Sequence, residues 1–292
     1  MNQVTRSKWL RVLLGAAGVA ALAVTATGAH AGISNTKHNL GGGSGPGSRN
    51  QVAATDTAEI CVFCHTPHGA STTTVAPLWN KNLGAGTGYT LYNSSISTTL
   101  DGETMTTVGS VSLACLSCHD GTQAMDNILN APGSGGFSTG GGATGLGYTW
   151  TSAAAGRIDA QGRLTNTATT GYMLATDLSN DHPIGIRYCG GGQSSGTPNG
   201  ACTDADFISP VNTTINTVRV WWVDTTGGTA NTREKTDMIL YNRSFPTLGQ
   251  TGPSVECASC HDPHVEAKAT NQVAFLRVSQ AGSGVCLACH NK

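Results

Sequence analysis

The sequence predicts a mostly irregular chain with short helices and a few short strands, gathered in one domain. Three observations carry that expectation. Charged residues make up 11% of the 292 residues and aromatic residues 5%, while glycine reaches 39. An average globular protein is about 25% charged. A chain this poor in large apolar side chains cannot build a thick aliphatic core. Its abundant Gly and Thr also disfavour long helices. The buried apolar mass must therefore come from something other than side chains.

The first stretch, residues 1–31, is expected to lie outside the fold. Arg6, Lys8 and Arg11 form a positive start, Val12 to Val24 is an apolar run, and Ala29-His30-Ala31 reads as a small-residue cleavage site. That is the pattern of a secretory signal peptide. The mature chain, residues 32–292, would begin at Gly32 and leave the cytoplasm. No second apolar segment suggests a membrane span, and no basic tract suggests nucleic acid.

Ten Cys in an exported chain would ordinarily signal a disulfide framework. Their spacing says otherwise. Cys61-Val-Phe-Cys64-His65, Cys115-Leu-Ser-Cys118-His119, Cys257-Ala-Ser-Cys260-His261 and Cys286-Leu-Ala-Cys289-His290 all fit C-x-x-C-H, the attachment motif of c-type haem. On a helical turn residues i, i+3 and i+4 share a face. Two thiols can then bond one porphyrin edge while the next imidazole reaches its iron. Tetrahedral zinc does not require a His directly after every second Cys. Thioredoxin-like dithiols would come singly in a βαβ setting, which is absent. Four covalently attached haems c are expected, and these porphyrins would organise the fold as its core.

Histidine numbers extend the argument. Outside residues 1–31 there are eight: the proximal His65, His119, His261 and His290, and the spare His38, His68, His182 and His264. Four irons with two axial positions each need eight imidazoles. Met105, Met125, Met173 and Met238 are the competing ligands, though Met in such settings more often packs. His68 and His264 each follow a proximal His by three residues, across Pro67 and Pro263. That is too close to reach the opposite porphyrin face, so they should serve neighbouring haems. His182 is assigned to the second haem. His68 and His264 then exchange between haems 1 and 3, which leaves His38 for haem 4. Other solutions remain, including His38 on haem 1 with His264 on haem 4.

Residues 32–60 read as a leader that carries His38 away from the body, with a flexible Gly41–Gly47 run. Pro132 to Gly147 reads as loop. Thr217 to Val223 and Met238 to Tyr241 are β-branched or aromatic and predict a hairpin across Gly227-Gly228. Trp221 and Trp222 are expected to pack rather than form a binding platform. Cys189 and Cys202, left over from the motifs, flank a Gly/Ser-rich loop and predict a disulfide.

The strings Cys61-Val-Phe-Cys-His-Thr-Pro-His-Gly69, Cys115-Leu-Ser-Cys-His-Asp-Gly-Thr122 and Asp181-His-Pro-Ile-Gly185, with the N-terminal Lys37-His38-Asn39-Leu40, resemble the OmcE-type tetrahaem cytochromes. Those are multihaem proteins with doubled C-x-x-C-H motifs. The resemblance covers the motifs and the leader, and covers the Gly/Thr-rich middle poorly. It implies electron transport through an extracellular filament, a nanowire with a continuous haem chain. His38 would ligate a haem of the adjacent subunit, that of Cys286 and Cys289. A ligand given head to tail is a heterologous contact, and such contacts make rings or open fibres. Redox proteins and extracellular acceptors would be the partners. A monomeric periplasmic tetrahaem shuttle uses the same motifs equally well. An enzyme such as a small-anion reductase is disfavoured. Eight His leave no open iron position, and no hydrolytic triad, phosphate loop or paired-carboxylate motif appears.

Overall fold

Short apolar segments separated by glycine can nucleate only brief elements, and the computed structural model of the chain bears this out. It describes residues 32–42, 52–73, 75–132, 145–151, 156–165, 172–225, 228–246, 249–264 and 275–291. Residues 1–31, expected to be a signal peptide, lie outside the described residues. So do Gly43–Gly47 of the leader, much of the Pro132–Gly147 stretch, and Gly227. Among the described residues there are three α-helices: α1 (Ser110–His119), α2 (Cys257–Cys260) and α3 (Gly284–Leu287). Short 3-10 turns occupy Gly32–Asn35, Cys61–Phe63, Tyr188–Gly190 and Ala281–Ser283. The rest is coil around one small sheet. No helix among the described residues is long and apolar enough to cross a membrane.

The sheet has five strands: β1 (Ile186–Arg187), β2 (Val211–Ile215), β3 (Val218–Val223), β4 (Met238–Phe245) and β5 (Gln250–Val255). They lie in the order β1-β5-β4-β3-β2 and every pairing is antiparallel. The expected hairpin forms, with Trp221 opposite Leu240 and Val223 opposite Met238. Its connection is held by carboxylates as well as by glycine. Asp237 accepts the backbone N–H groups of Thr225 and Glu234, and Asp224 accepts that of Asn231.

Two strands have no clear sequence signal. β2 joins β3 through Asn216 and Thr217, both at positive φ (46° and 69°). That backbone makes a tight hairpin of the primed type, which usually carries glycine. β5 contains Gly252-Pro253, a pair that reads as a turn. Pro253 is tolerated because β1 pairs only with Ser254 and Val255, so Pro253 lies outside that ladder.

Among the described residues, three small apolar clusters stand in place of one core. In the first, Ala54, Phe63, Met125, Ile128, Trp150 and Ile158 pack beside Cys64 and Cys118. In the second, Tyr188, Trp221, Val223, Met238 and Leu240 pack beside Cys260 and Cys289. The third joins Leu91, Val108, Leu113, Leu116 and Leu178. Trp221 and Trp222 are both buried, although consecutive strand residues point to opposite faces. Both faces of the sheet are therefore covered at that end, and both indoles pack.

Cys189 and Cys202 are disulfide-bonded, with Cα atoms 5.4 Å apart and a sequence separation of 13. A cross-link over a loop of that size stabilises by about 3 kcal/mol, mainly by restricting the unfolded chain. Replacing both residues by Ser is expected to lower the unfolding free energy by about that amount, measured by denaturant titration against the parent chain.

Candidate functional site

Each C-x-x-C-H motif sits on a helical turn: the 3-10 turn Cys61–Phe63, helix α1 for Cys115 to His119, α2 for Cys257 to Cys260, and α3 leading into Cys289. Three of the four then share one device. Directly after the turn the chain becomes extended, and its His pairs with a single residue of a passing segment: His65 with Trp79, His261 with Leu276, His290 with Phe207. In each case the carbonyl of the second Cys accepts an N–H (Asn80 to Cys64, Arg277 to Cys260, Ile208 to Cys289). The residue after the His donates back, Thr66 to Leu78, Asp262 to Phe275 and Asn291 to Asp206. Two hydrogen bonds, one on either side of the His, fix the direction in which its imidazole leaves the backbone. The second motif differs because α1 runs through His119, whose carbonyl accepts the Leu174 N–H.

The imidazoles are also fixed at their outer nitrogen. Nδ1 of His65 lies 2.6 Å from the Pro77 carbonyl, and that of His119 lies 2.6 Å from the Tyr172 carbonyl. His182 Nδ1 is 3.2 Å from the Pro183 carbonyl, and His264 Nδ1 is 3.3 Å from the Asp262 carboxylate. A proton held on Nδ1 leaves Nε2 as a free lone pair, the arrangement that metal-bound histidine uses. The His264 hydrogen bond is the largest cause holding the Asp262 carboxyl down at about 2.

Two pairs of imidazoles lie near each other. His65 and His264 have ring centroids 6.1 Å apart, and so do His38 and His119. Two metal–nitrogen bonds of about 2 Å, with each centroid about 1 Å beyond its nitrogen, put trans imidazoles about 6 Å apart. Both pairs have centroid separations of that size, with ring planes 21° apart for His65 and His264 and 62° apart for His38 and His119. The donor set fits the group that the motifs imply: two thiols on a helical turn, a proximal imidazole with Nδ1 occupied, and a second imidazole nearby.

The distal positions agree with the elimination made on sequence for His264, which lies beside His65 of the first motif, and differ for His38 and His182. His38 does not extend away from the body; it is half-buried and stacks on Phe275 at 4.2 Å. Burial, then the charges of His119, His264 and His261, hold its imidazole down to about 3. That keeps it the neutral donor an iron needs. His38 thus lies beside His119 of the second motif rather than the fourth. His182 in turn lies within reach of the charge of His290, the fourth motif's proximal ligand, and burial lowers its affinity for a proton. The reason lies in the leader. Thr36 and Asn39 are buried, Gly42 donates to Thr57, and Lys37 donates to the Tyr172 hydroxyl at 2.8 Å. Tyr172 also holds His119 Nδ1, so Lys37 and His38 both converge on the second motif. His68 is exposed, and among the described residues its ring has no partner. Of the Met named as competitors, Met125 and Met238 are buried in the apolar clusters beside the motif cysteines, and Met173 lies against Gly121.

The sulfurs show which motifs adjoin. Cys64 and Cys118 lie close enough for their charges to interact, and burial, helped by that proximity, pushes the Cys64 thiol up to about 12. The thiols of Cys115 and Cys257 lie close enough for their charges to interact. Cys260 feels the charge of Cys286, and burial followed by Cys260 pushes the Cys289 thiol up to about 12. The motifs therefore adjoin in the order first, second, third, fourth. Cys61 and Cys286, at the two ends, are exposed.

A family profile described as the doubled CXXCH motif matches residues 252–292. The match supports a multihaem c-type cytochrome. No curated protein matches the chain. The matched segment holds both the third and fourth motifs, and such motifs bind c-type haem covalently, as electron-transfer cytochromes do.

Several residues that shape the site have no motif to announce them. The carbonyls of Pro77 and Tyr172 are backbone groups, so no residue type marks them. Asp262 was visible inside Cys260-His-Asp-Pro-His264 and could have been read as a histidine partner. A buried network also joins the second and third motifs. Glu256 caps α2, accepts from Arg243 at 2.8 Å and accepts from Ser112 of α1 at 2.5 Å. Ser112 in turn accepts the Cys257 N–H at 3.0 Å.

Glu256→Ala would strand the Arg243 guanidinium and is expected to cost about 3–5 kcal/mol of stability, read by thermal or denaturant unfolding. Asp262→Ala removes the partner of His264 Nδ1. Loss of such a partner weakens metal ligation by about 10–100-fold. The expected outcome is a new high-spin fraction in the absorption or EPR spectrum of the ferric protein.

Proposed function

We propose that this chain is an electron-transfer protein carrying four covalent haems c, one per motif, each iron held between two imidazoles. The observation that carries this reading is the two pairs of neighbouring histidines, His65 with His264 and His38 with His119, each at 6.1 Å. His182 near His290 supports a third pair, and His68 would serve His261 only by elimination. Cys61, Cys64, Cys115, Cys118, Cys257, Cys260, Cys286 and Cys289 would hold the porphyrins. When bound, haem supplies one-electron exchange at its iron, at a potential that its axial ligands and surroundings set. The protein's part is to fix the imidazoles, exclude exchangeable ligands and bring successive groups close. With both axial positions taken, no iron site is left for a substrate, which favours transfer over catalysis.

The sulfur neighbours support a relay that runs in sequence order. The exposed cysteines at its two ends, Cys61 and Cys286, support entry and exit at the first and fourth haems. After export, such a chain could pass electrons from redox proteins to extracellular acceptors. In a filament the fourth haem of one subunit would abut the first haem of the next. A second reading, a monomeric periplasmic shuttle, is favoured by one observation: His38 reaches His119 of its own chain, so its ligation does not call for a neighbour.

Intact-mass and pyridine haemochrome measurements on the exported protein are expected to give four haems per chain, all low-spin. Fewer would remove a motif from the relay. His38→Ala should convert about one quarter of the haem to high-spin, consistent with one imidazole per axial site. Electron microscopy of the native protein then decides the setting. Filaments support the conduit, while discrete monomers with His38 bound within the chain support the shuttle.

A further inference from the structure

A buried charge without an ion pair among the described residues lies beside the first motif. Lys81 is fully buried. Its ammonium donates to the backbone carbonyls of Ala124 (3.0 Å), Met125 (2.9 Å) and Asn127 (3.3 Å). Among the described residues no carboxylate forms an ion pair with it. Asp126, in the same turn, points its carboxylate elsewhere and accepts the Tyr148 N–H at 2.8 Å. A buried charge without a counter-charge is costly, and a neutral donor could tie the same carbonyls at less cost. Its position is set by the clamp on the first motif. Asn80 donates its N–H to the Cys64 carbonyl, and Lys81 follows directly. Met125, whose carbonyl it binds, belongs to the apolar cluster that packs on Cys64 and Cys118.

The second motif carries the opposite sign. Asp120 directly follows His119 and is buried, accepting from the Tyr89 hydroxyl at 2.6 Å and from the Thr122 N–H and hydroxyl at 2.8 Å. A nearby cation stabilises the ferrous form of an iron, which has one less positive charge. A nearby anion stabilises the ferric form.

We propose that Lys81 is a fixed internal cation that raises the reduction potential of the haem at Cys61 and Cys64 above that of the haem at Cys115 and Cys118. This rests on the four-haem reading. The step it biases is a one-electron exchange: the second-motif iron goes from ferrous to ferric as the first-motif iron goes from ferric to ferrous. No proton or ligand moves. Lys81 touches neither iron and acts as a positioning residue for the electron, making the first haem the resting place of charge at that end of the relay.

The test is a redox titration of the holoprotein with each haem assigned by paramagnetic NMR, on the parent chain and on Lys81→Met. In the parent, the first haem is expected above the second. In Lys81→Met, the first haem's ferric-to-ferrous equilibrium is expected to shift at least tenfold toward ferric, 59 mV for one electron, with the other three moving less. A parent first haem at or below the second would overturn the proposal, and this holds even if the variant does not fold. So would a variant whose four potentials stay put or move together, the mark of a purely structural lysine. The haemochrome count on the same samples separates a failure of this proposal from a failure of the four-haem reading.

Discussion

Everything in this molecule answers to the direction in which a histidine leaves its backbone. Nε2 is useful to an iron only if it faces an opposite imidazole at the distance two metal bonds allow, with Nδ1 occupied so that the lone pair sits on the right nitrogen. A side chain with two rotatable bonds does not hold such a line alone. The chain meets the requirement by clamping the residue on either side of the His to a passing segment. It does so at His65, His261 and His290 with the same pair of hydrogen bonds. The clamping segments come from 14 or 15 residues downstream in two cases and from far upstream in the third, so the device is geometric and does not depend on sequence order.

The sheet and the apolar clusters make sense as supports for those clamps. Trp221, Tyr188 and Met238 gather behind Cys260 and Cys289, and Phe63 and Trp150 gather behind Cys64 and Cys118. Neither group is large enough to stand as the core of a 292-residue chain. Each is placed where a flat apolar cofactor would complete it. The buried Arg243–Glu256–Ser112 network holds α1 and α2 together where a purely apolar contact could slide. That suits a protein in which electron passage depends on the separation of groups carried on different helices.

How much of this could be read from the residues depends on whether a constraint leaves a mark in side-chain type. The mostly irregular fold followed from glycine content and the scarcity of large apolar residues. The β3–β4 hairpin followed from Thr-Val-Arg-Val-Trp-Trp-Val. β2 and β5 did not, because Asn216-Thr217 is an uncommon pair for a tight turn and Gly252-Pro253 is an uncommon pair for a strand. At the site, the attachment motifs were legible because covalent chemistry demands fixed spacing. The partners of His38 and His182 were not, since ligation across space leaves no spacing to read. Elimination placed His182 and His38 by their distance along the chain. The structure places His38 where Phe275 and the buried leader hold it, and His182 within reach of His290.

The proximity of the Cys115 and Cys257 thiols has a consequence for how the chain comes to be made. Two free thiols this close are prone to join as a disulfide wherever their surroundings are oxidising. That one bond would disable two attachment sites together. Capture of at least one of these sulfurs must therefore outrun the docking of α1 against α2. The closeness that serves the finished relay is a hazard to its own assembly.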